Sequence, residues 1–340
     1  MARAPSAAAA AARSPREAEG AKPEAEAEEA SLSACFNLDG DAFRELYPRE
    51  YLARFLAEGV RPDGRAPGAA RAVEVVRGAS SSSDGSAMAR IGSTTVIAAV
   101  RLQIRTLQWN EGEEEEGDLV VGVDVPTLAT GKFGRANVDS SVISHRLAGV
   151  LNADVVDLRE LCIQKGKFVW VAHLDVYCID HSGSVFDAAL LAAVAALRDL
   201  AIPAAAVSRD GRSCCRVAGT AGRIDGAMDS DTSRDVDMLR ENINNDDDDS
   251  HVVHPHGALS LKRVPLSLTC GTFDGGFLAD PTADEEAQLD ACVTVAVDDQ
   301  GNVLGFFKPG GEFALNSETM QMFVGAASMR HAEIRHHVGA

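Results

Sequence analysis

Aromatic side chains are scarce: 5% of the 340 residues, with only two Trp and three Tyr. A core without large rings must be filled by smaller groups, and 46% of the chain is apolar, rich in Ala and Val. Small side chains let helices and sheets approach closely, which suits a compact α/β framework. Positive charge is also in short supply, with 32 Lys and Arg against 51 Asp and Glu, for a net charge of −19. A free-standing nucleic-acid binder neutralises phosphates with a basic stripe, and the balance here runs the other way. The seven cysteines, Cys35, Cys162, Cys178, Cys214, Cys215, Cys270 and Cys292, form no C-x-x-C pair and are odd in number. Neither a disulfide framework nor a zinc site is expected; reduced, mostly buried thiols are. No apolar run is long enough to span a membrane. No G-x-S-x-G turn supports a serine-hydrolase triad.

What acid there is comes in blocks. An Ala/Glu-rich N-terminal stretch, a run from Glu113 to Glu116 and another from Asp246 to Asp249 carry much of the excess, so the remainder is nearer neutrality. The N-terminus has the Ala and Arg of a transit peptide, but Glu17, Glu19, Glu24, Glu26, Glu28 and Glu29 do not fit one. Residues 1–40 are expected to be a disordered tail and about 223–257 a disordered acidic insertion.

Between these blocks the pattern alternates strands and helices. A helix is expected over 48–58, opened by Pro48 and closed by the Pro-Asp-Gly turn of Arg61 to Arg65. Strands are expected at 72–77, 86–92, 94–102 and 119–125, with Gly92-Ser93 turning a hairpin. Apolar residues Ile143, Leu147, Val150 and Leu151 have helical spacing. Residues 168–179 read as a strand buried on both faces, and 187–200 as an Ala/Leu helix. The second half repeats the order, with strands at 215–218, 264–269, 276–279, 292–298 and 303–307 and a helix over 317–336. Strands then helices, twice, predict an α+β or mixed α/β fold with halves at 41–205 and 206–340.

Five ordered segments resemble the RNase PH family, and specifically its exosome ring subunits. They are Tyr51-Leu-Ala-Arg-Phe-Leu with the RPDGR turn, DGSAMARIGSTTVIAAV (Asp84 to Val100), the stretch from Glu160 to Leu197, LADPTADEEAQLDACVTVAVDDQGNV (Leu278 to Val303) and KPGG (Lys308 to Gly311). The resemblance implies an α+β, RNase PH-like fold of the ribosomal protein S5 domain 2-like type, two mixed-sheet halves with packed helices. It also implies a place in a six-membered ring of RNase PH-like subunits around a channel for single-stranded RNA. S1/KH cap subunits and hydrolytic exosome ribonucleases would be partners, the setting would be nucleus, nucleolus and cytoplasm, and no membrane, metal or cofactor would be involved.

The family's enzymes attack RNA with inorganic phosphate, and so need a cradle of amides, a hydroxyl and an Arg to bring two anions together. Where they carry D-G-G-T-R, this chain has Ser182-Gly183-Ser184-Val185-Phe186. Val185 stands at the hydroxyl position and Phe186 at the Arg position, and Asp139 falls near a second basic position. The resemblance therefore implies a degenerate phosphate site and a scaffold without catalysis. The family's two acids, six apart, fall on Glu286 and Cys292, or two residues earlier on Asp284 and Asp290. Asp280, Asp284, Glu285, Glu286 and Asp290 are first read as a solvated loop and strand entry. Lys132 and Arg135, with Phe133 between them, have the make-up of a single-strand RNA contact. His173 is expected in the core, and His331, His336 and His337 at an exposed helix end. An active phosphate-dependent 3′-to-5′ exoribonuclease is the competing reading, separated by the Val185/Phe186 pair. A same-fold domain with a small-molecule role is a third, against which the Asp84-to-Val100 and Asp280-Pro-Thr matches count.

Overall fold

A computed structural model of the chain describes residues 40–107, 116–130, 140–151, 155–208, 214–216, 252–254, 257–311 and 316–339. The expected tail, up to residue 39, and most of the expected insertion lie outside them. The described residues fall into two compact units, divided after Asp63. The first holds α1 (Gly40–Leu46) and α2 (Pro48–Ala57), with Pro48 at the start of α2, where its missing N–H costs nothing. Phe43, Tyr47, Tyr51 and Phe55 recur every four residues, with ring centroids 4.9 to 6.4 Å apart.

The second unit contains two sheets. The first is built from β1 (Val73–Arg77), β2 (Gly85–Ile91), β3 (Thr94–Thr106), β4 (Asp118–Asp124), β5 (Cys162–Gln164) and β6 (Phe168–Asp180), in the order β1-β2-β3-β6-β4, with β5 beside β6. Only the β4–β6 pair is parallel. Gly92 turns the β2–β3 hairpin with φ +58°. In β6 the residues from Phe168 to Ala172 are all buried, and beyond them burial alternates. Two-faced burial therefore holds for the first half of the strand only. His173 is half-buried on the face turned away from the core, which corrects its expected core placement.

Two helices cover one face of this sheet: α3 (Ser140–Val150), which buries Ile143, Leu147 and Val150, and α4 (Val185–Arg198), buried from Val185 to Leu197. A helix apolar on every side belongs inside a layered core. It is followed by β7 (Ala201–Ile202), β8 (Ala205–Val207), β9 (Cys214–Arg216), β10 (Val252–His254) and β11 (Gly257–Ala258). β8 pairs with both β9 and β10, and β11 with β7. Thus residues 252–254 and 257, expected inside the insertion, pair as strands; the Val252-Val253 signal was hidden among polar neighbours.

The second sheet runs β13-β12-β14-β15, from β12 (Leu266–Phe273), β13 (Gly276–Ala279), β14 (Ala291–Val297) and β15 (Val303–Phe307). The one-turn α5 (Ala283–Glu286) precedes β14, and α6 (Ser317–Gly339) ends the chain. Leu266 and Ala296 join the core around α4, while Leu268, Cys270, Val293, Val295 and Val297 pack with Phe323 and Ala327 of α6. All eight residues of β12 are buried. This is the expected α+β architecture, and residues of both halves contribute to the core around α4. No described helix is long and apolar enough to cross a membrane.

The alanine-rich composition has a local consequence at Gly85. A Cβ there would lie 2.7 Å from the Ala196 carbonyl oxygen and 2.7 Å from the Leu200 Cα, both backbone atoms that cannot yield cheaply. Gly85→Ala should lower the free energy of unfolding by about 1–3 kcal/mol in denaturant titrations. Gly68→Ala, which faces open space, should change it by less than about 0.5 kcal/mol. Equal effects would show that the close approach of β2 to α4 is not what Gly85 provides.

Candidate functional site

The segment joining β6 to α4 is the candidate site, and each of its first four amides is already used. The His181 N–H donates to the Ala129 carbonyl at 3.1 Å and the Ser182 N–H to Thr94 Oγ1 at 3.1 Å. The Gly183 N–H donates to His181 Nδ1 at 3.1 Å, and the Ser184 N–H to Glu286 Oε1 at 2.7 Å. Gly183 (φ +95°) and Ser184 (φ +51°) both take left-handed backbone, which curls the segment into a tight turn ahead of the helix. A Cβ on Gly183 would stand 2.5 Å from the Pro281 carbonyl oxygen, so the turn packs directly on the chain leading into α5.

Arg71 holds this turn from below. It is 8% exposed and Asp280 2%. The Arg71 N–H donates to Asp280 Oδ2 at 2.7 Å, Nε to the same oxygen at 2.9 Å and Nη2 to Oδ1 at 2.6 Å. The remaining donors reach the Ser182 carbonyl at 2.8 Å and the Gly183 carbonyl at 3.3 Å. Thr94 Oγ1 donates to the Gly183 carbonyl at 2.8 Å, and Arg330 donates to the Arg71 carbonyl. Burial alone would raise the Asp280 pKa, but Arg71 outweighs it and holds the carboxyl below its ordinary range.

Two further carboxyls face the same interior. Asp187, in the first turn of α4, accepts from Ser267 Oγ and the Thr269 N–H, each at 2.6 Å, and so ties the helix to β12. Burial pushes its pKa up to about 6. Burial, reinforced by Asp187 and Asp280, pushes Glu286 up to about 7 despite its bond from the Ser184 amide. Cys292 stands close enough to Glu286 for burial and that charge to lift its thiol to about 12, the opposite of an activated nucleophile.

These positions correct the reading of the acids as a solvated loop. Asp280 and Glu285 are buried, and Glu286 is half-buried against the turn. Thr282-Ala-Asp-Glu285 is a capping box, in which the Thr282 N–H donates to Glu285 Oε2 at 2.8 Å. That motif was visible in the sequence. Glu286 and Cys292 face the site, whereas Asp284 is exposed and Asp290 accepts from the Asp274 N–H. Val185 and Phe186 are 6% and 7% exposed. Phe186 packs edge-on against Phe307 at 5.5 Å, and the Arg146 guanidinium lies over Phe307 at 5.4 Å. Asp139, Lys132 and Arg135 lie outside the described residues. His331 is buried and bonded to the Val264 carbonyl, not exposed as expected, while His336 and His337 are exposed. Arg71 carried no motif, and Thr94 lay in the Asp84-to-Val100 match without being assigned a role at the site. Asp187 did carry a signal, as a lone acid in an otherwise apolar helix.

Arg71→Met would strip buried Asp280 of its close ion pair, leaving the longer Arg65 contact at 3.6 Å, and should cost about 3–5 kcal/mol of stability. Removing Asp280 as well should recover part of that loss; a strictly additive double-mutant cycle would contradict the coupling. Glu286 adds a pH dependence. Its folded pKa lies above its unfolded value, so the folded chain retains the proton longer and stability falls as pH rises from about 4.5 to 7. Glu286→Gln should therefore match the parent chain near pH 5 and become the more stable of the two by pH 8. Parallel stability curves would contradict this.

The model of the 3′ exoribonuclease family, domain 1 (RNase PH), matches residues 69–203, and that of domain 2 of the same family matches residues 263–327. The exosome complex component Rrp42 of Methanopyrus kandleri is 28% identical over 269 residues, covering 78% of this chain and 86% of its own. The exosome complex component rrp43 of Schizosaccharomyces pombe is 26% identical over 272 residues, covering 79% and 87%. Among solved structures, a chain of the Archaeoglobus fulgidus exosome with RNA bound to the active site superposes with a TM-score of 0.63 at 22% identity, covering 85% of this chain and 96% of that one. With both domain models matched in order, the chain belongs to the RNase PH family of 3′ exoribonucleases.

Proposed function

We propose that this chain is a non-catalytic structural subunit of the RNA exosome core ring, supporting 3′-to-5′ RNA degradation and rRNA and mRNA processing by scaffolding and by threading RNA. Its partners would be other RNase PH-like subunits in a six-membered ring, S1/KH cap subunits, hydrolytic exosome ribonucleases and single-stranded RNA in the assembled channel. It would work in nucleus, nucleolus and cytoplasm. Exosome components among its relatives support the assembly.

The observation that carries the absence of catalysis is the Ser184 amide bonded to Glu286. Phosphorolysis needs amide donors free to receive inorganic phosphate. Here an internal carboxylate takes the amide next to the helix, and Thr94, His181 and Ala129 take the others. Val185 and Phe186 supply neither hydroxyl nor guanidinium, and both are committed to the core. No cofactor enters this reading. Lys132 and Arg135 are the proposed RNA contacts, and Asp139 a proposed part of the degenerate site.

The chain co-assembled with RNase PH-like partners should release no nucleoside diphosphate from RNA that depends on this subunit. Glu286→Gln should leave that result unchanged, because the hydroxyl and Arg are still missing. Phosphate-dependent release lost on Val185→Asp, in a ring that still assembles, would overturn the proposal in favour of an active exoribonuclease. Lys132→Glu with Arg135→Glu should reduce RNA crosslinking of the assembled ring; unchanged crosslinking would remove these two residues from the RNA path.

A further inference from the structure

The C-terminal end of α6 gathers basic groups in a chain of net charge −19. Arg77, the last residue of β1, and Arg198, the last of α4, donate to the same carbonyl, that of Val338, Arg198 through Nη1 at 2.8 Å. Both side chains are partly buried. Neither makes an ion pair among the described residues. Asp199 Oδ2 accepts from the Ser86 N–H at 3.1 Å, and exposed Asp299 acts on Arg198 only through space. The last turns of α6 add exposed Arg335, His336 and His337, with no acid after Glu333.

One arginine is enough to cap a helix carbonyl and complement the helix dipole. A second on the same oxygen places two guanidiniums within about 6 Å of each other, where they repel. Burial, followed by Arg77, lowers the Arg198 pKa. Each guanidinium has five N–H donors, and one carbonyl uses few of them. An oxyanion that accepts from both forks removes the repulsion and fills the vacant donors. A phosphate group, with up to two charges and several outward oxygens, fits two guanidiniums better than a single carboxylate does.

We infer that Arg77 and Arg198, at the end of α6, form an anion site for one phosphate group, either free inorganic phosphate or a phosphate of an RNA strand. The site is separate from the β6–α4 turn: it lies at the other end of α4, whose 14 residues span about 21 Å.

Inorganic phosphate titrated into the full chain at fixed ionic strength, followed by calorimetry and thermal unfolding, should bind saturably at one site and raise Tm. Arg77→Gln and Arg198→Gln should each weaken binding about tenfold or more. Arg335→Gln, on the exposed surface, should weaken it less than about twofold. Arg77→Lys and Arg198→Lys keep the charge and guard against loss of folding, yet should still bind more weakly because the fork is gone. A 5′-phosphorylated ribo-oligonucleotide that displaces the phosphate would assign the group to RNA; binding without displacement would assign free phosphate. No saturable binding, or equal weakening by Arg335→Gln, would overturn the site and leave the pair as a helix cap.

Discussion

Arg71 has almost no contact with water, and among the described residues the only carboxylate it bonds is that of Asp280. A buried guanidinium is tolerated only when its charge and its donors are both satisfied. Satisfying them brings together the entry to β1, the β6–α4 turn, the end of β13 and, through the Arg71 carbonyl, Arg330 of α6. The left-handed backbone at Asp280 (φ +49°) and Ser184 (φ +51°) is a strain that persists because this network over-determines both residues. The two halves of the family fold meet through these bonds, and the shape of the turn follows from them.

Once the turn is held there, its chemistry is largely decided. The carbonyls of Ser182 and Gly183 face Arg71 and Thr94, and the amides of residues 181–184 find acceptors within the chain. Glu286 brings a carboxyl against the turn at which the resemblance implies a phosphate site. Its raised pKa reflects burial against two more acids, Asp187 and Asp280. A second anion arriving there would meet Glu286, and would find Phe186 committed to Phe307 instead of a guanidinium. This arrangement supports the proposed scaffold role, in which the fold is kept for its surfaces.

Much of the fold was legible where side-chain periodicity and turn chemistry act locally. Gly92 marked the β2–β3 hairpin, the apolar run from Phe168 marked β6, and the Ala/Leu stretch marked α4. The short strands β7 to β11 were not legible as pairs, because two or three residues carry no period and their partners lie far along the chain. The site was legible only in part. Ser182 to Phe186 were picked out by resemblance; Ser182 to Ser184 lie in the turn, and Val185 and Phe186 open α4. Arg71 and Asp280, 209 residues apart, could not be paired from sequence, since neither a motif nor a period links them. Glu285 and Glu286 looked solvated because an acid-rich run is usually a surface. Their burial depends on partners, a capping box for one and the Ser184 amide for the other. His331 was misplaced for the same reason: the Val264 carbonyl that receives it is 67 residues away.

Amide hydrogen exchange at Ser182, Gly183 and Ser184, measured with and without saturating inorganic phosphate, decides whether the β6–α4 turn is closed to an incoming anion. If these donors are consumed inside the chain, their amides exchange slowly and phosphate leaves the rates unchanged. Fast exchange that phosphate slows would mean that the cradle is open, and the account of a closed site would be wrong.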